Sequence, residues 1–295
     1  MTQLGLGLDV STKRTRKREF LDEMTRVVPS QKLIALIEPR YPKGKTGRPL
    51  FAIQTMLRIH FMQQWFSLSD LAMEEALHAV PLYREFAMLD AGMTRLPDES
   101  TILRFRHLLE AHELSVGMLA AVNEILQAKD LMLKVGSAVD ATLISAPSST
   151  KKASTRDPEM SQTQKGGGWY FGMKAHIGVA VGSGLVHTVK CTPPNVHDIT
   201  VAHALLHRQE KVAFADAGYV GIEKRGETGA LQWQVAMRLS KRRKLDRSKR
   251  LDRIYDAIER LKAGVRAKVE HPFRMLKCQF GYLKARYRGL AKSTA

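Results

Sequence analysis

The chain has 295 residues, with 47 Lys and Arg against 29 Asp and Glu and a formal net charge of +18. Its 44% hydrophobic and 26% charged residues are globular values over a length that suits one or two cored domains, which excludes wholesale disorder. The longest apolar run, Ile177 to Val189, is broken by Gly178, Gly182, Ser183 and Gly184, which excludes a membrane span; the absence of an apolar signal core at the N-terminus argues against secretion, and Cys191 and Cys278 stand alone, too few for a disulfide framework or a cysteine-built zinc cluster.

Residues 1–48 read as a basic N-terminal segment and linker. They open with Lys13, Arg14, Arg16, Lys17 and Arg18 and close in a Pro-, Gly- and Lys-rich stretch from Pro39 to Pro49. Residues 49–130 read as a small all-α domain. Leu50, Ile53, Leu57 and Phe61 lie at helical spacing after Pro49, and Ser67 with Asp70 makes a capping-box-like start for a helix through Ala79. Pro81 opens a further helix, and Ile102, Phe105 and Leu109, then Leu114, Met118, Val122 and Ile125, form two more stripes. Such a domain suits either a helix-turn-helix DNA reader or a dimerisation module.

Near residue 132 the period changes from 3.6 to 2, and residues 131–295 read as a mixed α/β domain. Val135, Ser137 and Val139 alternate up to Asp140, a strand ending in a carboxylate. Residues 145–168, rich in Ser, Thr, Pro, Lys and Gly, read as a flexible loop. Seven consecutive odd positions from Trp169 to Val181 are apolar, which predicts a strand with Trp169 and Phe171 in the core and Tyr170 on the other face. Gly182-Ser183-Gly184 turns the chain into a hairpin partner, Leu185 to Thr192. Asp198 is placed to cap a helix through His207; Val212 to Ala215 is a strand running into Asp216, and Trp233 to Met237 another. Leu251, Ile254, Ile258, Leu261, Val265 and Val269 mark a long helix.

The charge is concentrated late. From Arg238 to Ala295 there are 19 Lys and Arg against five Asp and Glu, a net of +14, whereas the preceding 237 residues carry +4. A block of that size is either a solvated face or a footprint for polyanions. Residues 238–250 lack the apolar face that membrane binding needs, which favours nucleic acid.

Three acids stand out. Asp140 and Asp216 end strands beside small Ala and Gly neighbours, and Glu270 lies on a helical face with Arg266 at i−4, Arg274 at i+4 and Lys277 at i+7. Converging carboxylates and basic residues suit hard divalent cations and a phosphodiester. Each has a plainer reading: a strand-end Asp as a turn residue, Glu270 as an ion-pair partner. Pro272 is expected to kink or end that helix. His203 and His207 have the i,i+4 spacing of a metal pair, but no Glu follows His203 and the pair reads as structural. His176 and His197 are candidate neighbours of the acids, with plain hydrogen bonding as the alternative.

Several stretches go further. Val139-Asp-Ala-Thr-Leu-Ile-Ser-Ala-Pro-Ser-Ser-Thr-Lys151, Arg156-Asp-Pro-Glu-Met160, Gly172-Met-Lys-Ala-His-Ile-Gly178, Ala215-Asp-Ala-Gly-Tyr219, Arg266-Ala-Lys-Val-Glu-His-Pro-Phe-Arg274 and Gln279 to Leu290 closely resemble the insertion sequence 5 family of bacterial transposases. Met56 to His60 and Phe105 to Glu110 extend the resemblance over roughly residues 18–292. It implies an α/β, ribonuclease-H-like mixed sheet with flanking helices behind the all-α region, and Asp140, Asp216 and Glu270 as the DDE triad. Two Mg²⁺ ions, replaceable by Mn²⁺, would be held there, Asp140 and Asp216 reaching both and Glu270 the second. The implied partners are double-stranded DNA, as element terminal inverted repeats and target, and further copies of the chain, in a cytoplasmic, nucleoid-associated setting. Lys241, Arg242, Arg243, Lys244, Arg266, Arg274 and Lys277 would neutralise DNA phosphates. The family's broader signature has Tyr where this chain has Ala263, and its members run on past Gly-Leu-Ala-Lys, so a C-terminally shortened copy is expected here. A DNA-binding repressor without catalysis and a stand-alone metal-dependent nuclease are the alternatives.

Overall fold

The computed structural model describes residues 14–44, 48–89, 95–132, 136–147, 156–226 and 231–294. The chain divides into two compact units, residues 1–108 and 109–295.

The first unit is helical: α1 (Arg16–Val27), α2 (Ser30–Ile37), α3 (Ile53–Phe66), α4 (Asp70–Ala79), α5 (Pro81–Phe86) and most of α6 (Glu99–Ala111). Its core is Leu21, Leu33, Ile37, Met56, Ile59, Met62, Met73, Leu77 and Ile102, all at most 2% exposed. The stretch before Arg40 is therefore no simple basic segment. Phe20 meets Trp65 edge-on at 5.3 Å, Lys17 sits over Phe66 and Tyr83, and Arg18 makes a two-pronged pair with Glu85. The apolar residues of α1 were masked by the charges around them. Lys13 lies outside the described residues. Helix α4 starts later than the pattern implied. Ser67 adopts the left-handed conformation that ends α3, and Ser69 caps α4 by accepting from Ala72 N at 3.1 Å. Asp70 turns inward, accepting from Gln63 at 2.8 Å and from Arg106 at 2.8 Å, which satisfies both of its oxygens.

The second unit begins with α7 (Leu114–Ala128) and a six-stranded mixed sheet: β1 (Gly136–Ser145), β2 (Ser161–Lys165), β3 (Gly168–Ala180), β4 (Val186–Thr192), β5 (Val212–Ala215) and β6 (Gln232–Val235). The order is β2-β3-β1-β5-β6, with β4 also on β3. Strands β1, β3 and β4 are antiparallel, whereas β1, β5 and β6 are parallel. Helix α8 (Asp198–Val201), continued by a 3₁₀ turn to Leu205, precedes β5; α9 (Leu239–Arg242), α10 (Arg250–Arg274) and α11 (Leu290–Thr294) follow β6. This is a ribonuclease-H-like sheet with flanking helices. No described helix is long and apolar enough to cross a membrane.

Five features differ from the sequence reading, each for a physical reason. Strand β2 lies inside the segment read as a loop; its Ser-Gln-Thr-Gln-Lys sequence shows no alternation because it meets only the outer end of β3. Trp169 is 70% exposed, since it pairs with Gln164 of β2 beyond the last β1 partner, Gly172, where no core layer lies behind it. Asp198 lies in the first turn of α8 and His197 is the N-cap; regular helix ends at Leu205, short of His207. Helix α10 passes through Pro272 to Arg274 and continues as a π-turn, Met275–Gln279. An interior proline costs about 3 kcal/mol. Val269 and Phe273, buried on the sheet, return about 1.5–3 kcal/mol each, enough to hold the helix. Finally, Leu251, Ile254, Ile258 and Leu261 are 40–73% exposed, so the α10 stripe meets the core only from Val269 onward.

Glycine in β3 is required by close approach. A Cβ on Gly178 would lie 2.1 Å from the Leu205 carbonyl oxygen and 2.6 Å from His187 Cε1. Gly178→Ala is expected to destabilise the fold by about 3 kcal/mol, the upper end for overpacking, because backbone must move. Gly264→Ala on α10, where a Cβ meets nothing within 4 Å, should stabilise by about 0.5–1 kcal/mol. Denaturant midpoints of the two variants check this; equal midpoints would refute the close approach.

Candidate active site

The two aspartates are set by parallel pairing. Ala138 on β1 lies opposite Phe214 on β5, and two residues further along each strand come Asp140 and Asp216. By strand alternation both carboxylates lie on the sheet face that carries Ala138 and Phe214, just past the last β1–β5 pair. Asp140 does not end its strand: β1 runs on to Ser145, paired with β3 and, at Ser145 itself, with Lys284, whereas β5 stops at Ala215. Past Ala215 the chain therefore leaves the side of β1 that carries Asp140. Asp140 Oδ1 accepts from Ala141 N at 2.7 Å, and Asp216 Oδ1 accepts from Gly218 N at 2.8 Å.

Helix α10 covers that sheet face. Val269 and Phe273 pack with Ala138, Ile177 and Phe214, so Glu270, next to Val269, stands on the flank of the buried stripe and is exposed. Among the described residues Glu270 pairs with neither Arg266 nor Arg274, so the ion-pair reading does not hold. Nor do Asp140, Asp216 and Glu270 gather within 4.8 Å of one another; the three-ligand group of that compactness among the described residues is His187, His207 and Glu210.

Tyr219, fully buried, connects the surroundings. Burial first, then the negative charges of Asp198, Asp140 and Asp216, push its phenol well above the usual range, against an opposing effect of Arg266. Its hydroxyl has no hydrogen-bond partner among the described residues. An orphaned buried hydroxyl beside two half-buried aspartates, all oxygen donors, fits a hard divalent cation.

The two histidines lie beside this centre rather than in it. His176 follows the alternation of β3 onto the opposite face, where Nε2 lies 2.9 Å from Thr192 Oγ1 and Nδ1 3.9 Å from Asp198. Burial lowers its pKa to about 4, leaving the ring neutral. His197, exposed, caps α8 through a 3.3 Å contact with Ile199 N. The sequence marks Asp198 only as a helix cap and does not mark Lys174. They form a 2.8 Å pair between β3 and the first turn of α8, on the face of β3 that carries His176.

The basic residues divide into free and committed. Lys241, Arg243, Lys244 and Arg274 are exposed. Arg242 instead donates to Asp256 at 2.8 Å, within a groove of about 460 Å³ also lined by Arg243, Arg247 and Arg260. Lys277 reaches from the π-turn to Thr142 Oγ1 (2.6 Å) and the Leu143 carbonyl (2.9 Å), so it holds β1 just beyond Asp140. The Arg156-Asp-Pro-Glu stretch has a structural use: Asp157 accepts from Gly289 N, and Glu159 accepts from Leu290 N at 2.7 Å.

A family model described as a transposase DDE domain matches residues 132–295, more than half of the chain. A second, described as a transposase domain (DUF772), matches residues 9–108. No solved structure matches.

Proposed function

The chain belongs to the transposases with a DDE domain, and from that premise we propose that it is of the insertion sequence 5 kind, cutting DNA at the ends of a bacterial mobile element and joining them to target DNA. The observation that carries this reading is that Asp140 and Asp216 each lie two residues past the last β1–β5 pair, Ala138 with Phe214, and both act on the buried Tyr219 hydroxyl. Asp140 and Asp216 would hold two Mg²⁺ ions, with Mn²⁺ as a substitute, and Glu270 would reach the second. Bound there, the ions supply Lewis-acid stabilisation for displacement at phosphorus. The protein's own part is positional. Gly218 N and Ala141 N orient the carboxylates, and the small neighbours Ala141, Ala217 and Gly218 leave room for a phosphodiester. Arg266 and Arg274 on α10 line the face along which its backbone lies, and Lys277 braces β1 beside it through Thr142 and Leu143. Lys241, Arg243 and Lys244 extend the basic surface for duplex DNA.

In this reading residues 1–48 and 49–130 serve binding of the terminal inverted repeats or dimerisation, residues 131–295 catalysis, and the chain works as a homodimer or higher oligomer on chromosomal DNA in the cytoplasm. A second reading, binding of element ends without cutting, is favoured by one observation, that the three acids do not gather within 4.8 Å. Labelled element-end DNA incubated with purified chain and Mg²⁺ separates these: cutting and joining is the expected result. Cutting alone would make it a nuclease, and binding alone would overturn the catalytic reading.

A further inference from the structure

A second cluster lies at the other end of β1, on the opposite sheet face. The β3–β4 register slips between Gly178 and Val179: Gly178 faces Thr188 and Val179 faces Val186, which leaves His187 as the bulged residue. A bulge re-aims a side chain, and the missing Cβ of Gly178 makes space for the ring. His187 Nδ1 lies 2.9 Å from Thr188 Oγ1, and its carbonyl accepts from Asn123 of α7 at 2.9 Å, so Nε2 is turned inward. There Nε2 lies 2.9 Å from the hydroxyl of the fully buried Ser137, which donates to Glu210 Oε1 at 2.9 Å. The Glu210 side chain, 1% exposed, also accepts from the His207 backbone N–H at 2.7 Å and stands 3.4 Å from His207 Nε2.

We propose that His187, His207 and Glu210 form a binding site for a divalent transition-metal ion, Zn²⁺ by ligand chemistry, with a structural role. Two imidazoles and one carboxylate are a zinc donor set, unlike the all-oxygen surroundings of Asp140 and Asp216. The three ligand atoms lie within 4.8 Å of one another. Tetrahedral zinc with bonds of 2.0–2.1 Å separates its ligands by about 3.3 Å, close to the 3.4 Å between His207 and Glu210. The Thr188 hydroxyl is the outer partner that fixes the His187 tautomer. On the His207 side, Nδ1 takes the ring proton, and its long 3.3 Å contact with Gln209 N is the one that loosens. Ser137 offers a neutral oxygen to complete the shell, and His207, 19% exposed, leaves a path from solvent. An ion here clips β4, β1 and the segment leading into β5, and so holds the β1–β5 register on which the Asp140–Asp216 pair depends.

The test uses the full chain, stripped with a chelator and titrated with Zn²⁺, Co²⁺ or Mg²⁺. Expected are one tightly held Zn²⁺ per chain, a melting temperature raised by several degrees with Zn²⁺ and not with Mg²⁺, and the visible bands of four-coordinate Co²⁺. His207→Ala should weaken Zn²⁺ binding by more than about 100-fold, beyond what outer-shell changes cost, with the stripped protein still folded because this side chain is partly exposed. Glu210→Gln, which keeps the shape, is the second variant if His207→Ala does not fold, and should also lose the Co²⁺ bands. Asp140→Asn must retain Zn²⁺. No bound equivalent, unchanged affinity in both ligand variants, or loss of Zn²⁺ in Asp140→Asn would each overturn the site. The last result would place the ion at the aspartate pair.

Discussion

Asp140→Asn is expected to lower Mg²⁺-dependent cleavage of element-end DNA about a thousandfold or more while leaving DNA binding largely intact. The change keeps the volume of a half-buried side chain and the oxygen that accepts from Ala141 N, so β1 and its pairing with β3 are undisturbed. What it removes is one of the negative charges acting, with Asp216, on Tyr219. Metal-derived stabilisation is worth several kcal/mol, and each 1.36 kcal/mol is tenfold in rate, which leads to about that figure. Asp216→Asn should behave alike, because both aspartates lie two residues past the last β1–β5 pair and face the same hydroxyl of Tyr219. Cleavage at the parent rate in either variant, with matching melting curves, would remove the metal role of that residue.

DNA affinity is expected to fall about 10³–10⁵-fold between 50 and 200 mM salt, a log–log slope of about −5 to −9 for roughly 6–10 phosphates engaged. The cause is the net +14 carried by residues 238–295. The structure divides that charge. Lys241, Arg243 and Lys244 are exposed, so neutralising each should make the slope shallower by about one. Arg242 is held by Asp256, and Lys277 by Thr142 and Leu143. Replacing either of these should cost stability more than slope. Fluorescence anisotropy across the salt series measures both quantities; a flat response would take the basic block out of the DNA interface.

Much of the fold was legible because it repeats along the chain. The apolar alternation of β3, the Gly-Ser-Gly turn into β4 and the stripes of α6 and α7 carry their periods in contiguous residues. Misreadings fell where local pattern and environment part: Trp169 alternates correctly but lies beyond the sheet's covered area, and Pro272 breaks helices except where burial on both sides of it holds the turn. In the same way His203 and His207 share i,i+4 spacing in the sequence, whereas the chain leaves the helix after Leu205 and turns His207 toward His187 on β4.

The sequence by itself determined the helical and mixed α/β halves, the late concentration of charge and three acids in motif-bearing segments, since composition, period and motif are properties of neighbours in the chain. Only the tertiary structure decided which groups meet. Pairing of β1 with β5 sets Asp140 beside Asp216, the slip between β3 and β4 aims His187 at Glu210, and α10 lays Glu270 along the flank of the sheet. Strand register and helix docking are settled by contacts between residues tens of positions apart, and no local pattern encodes them.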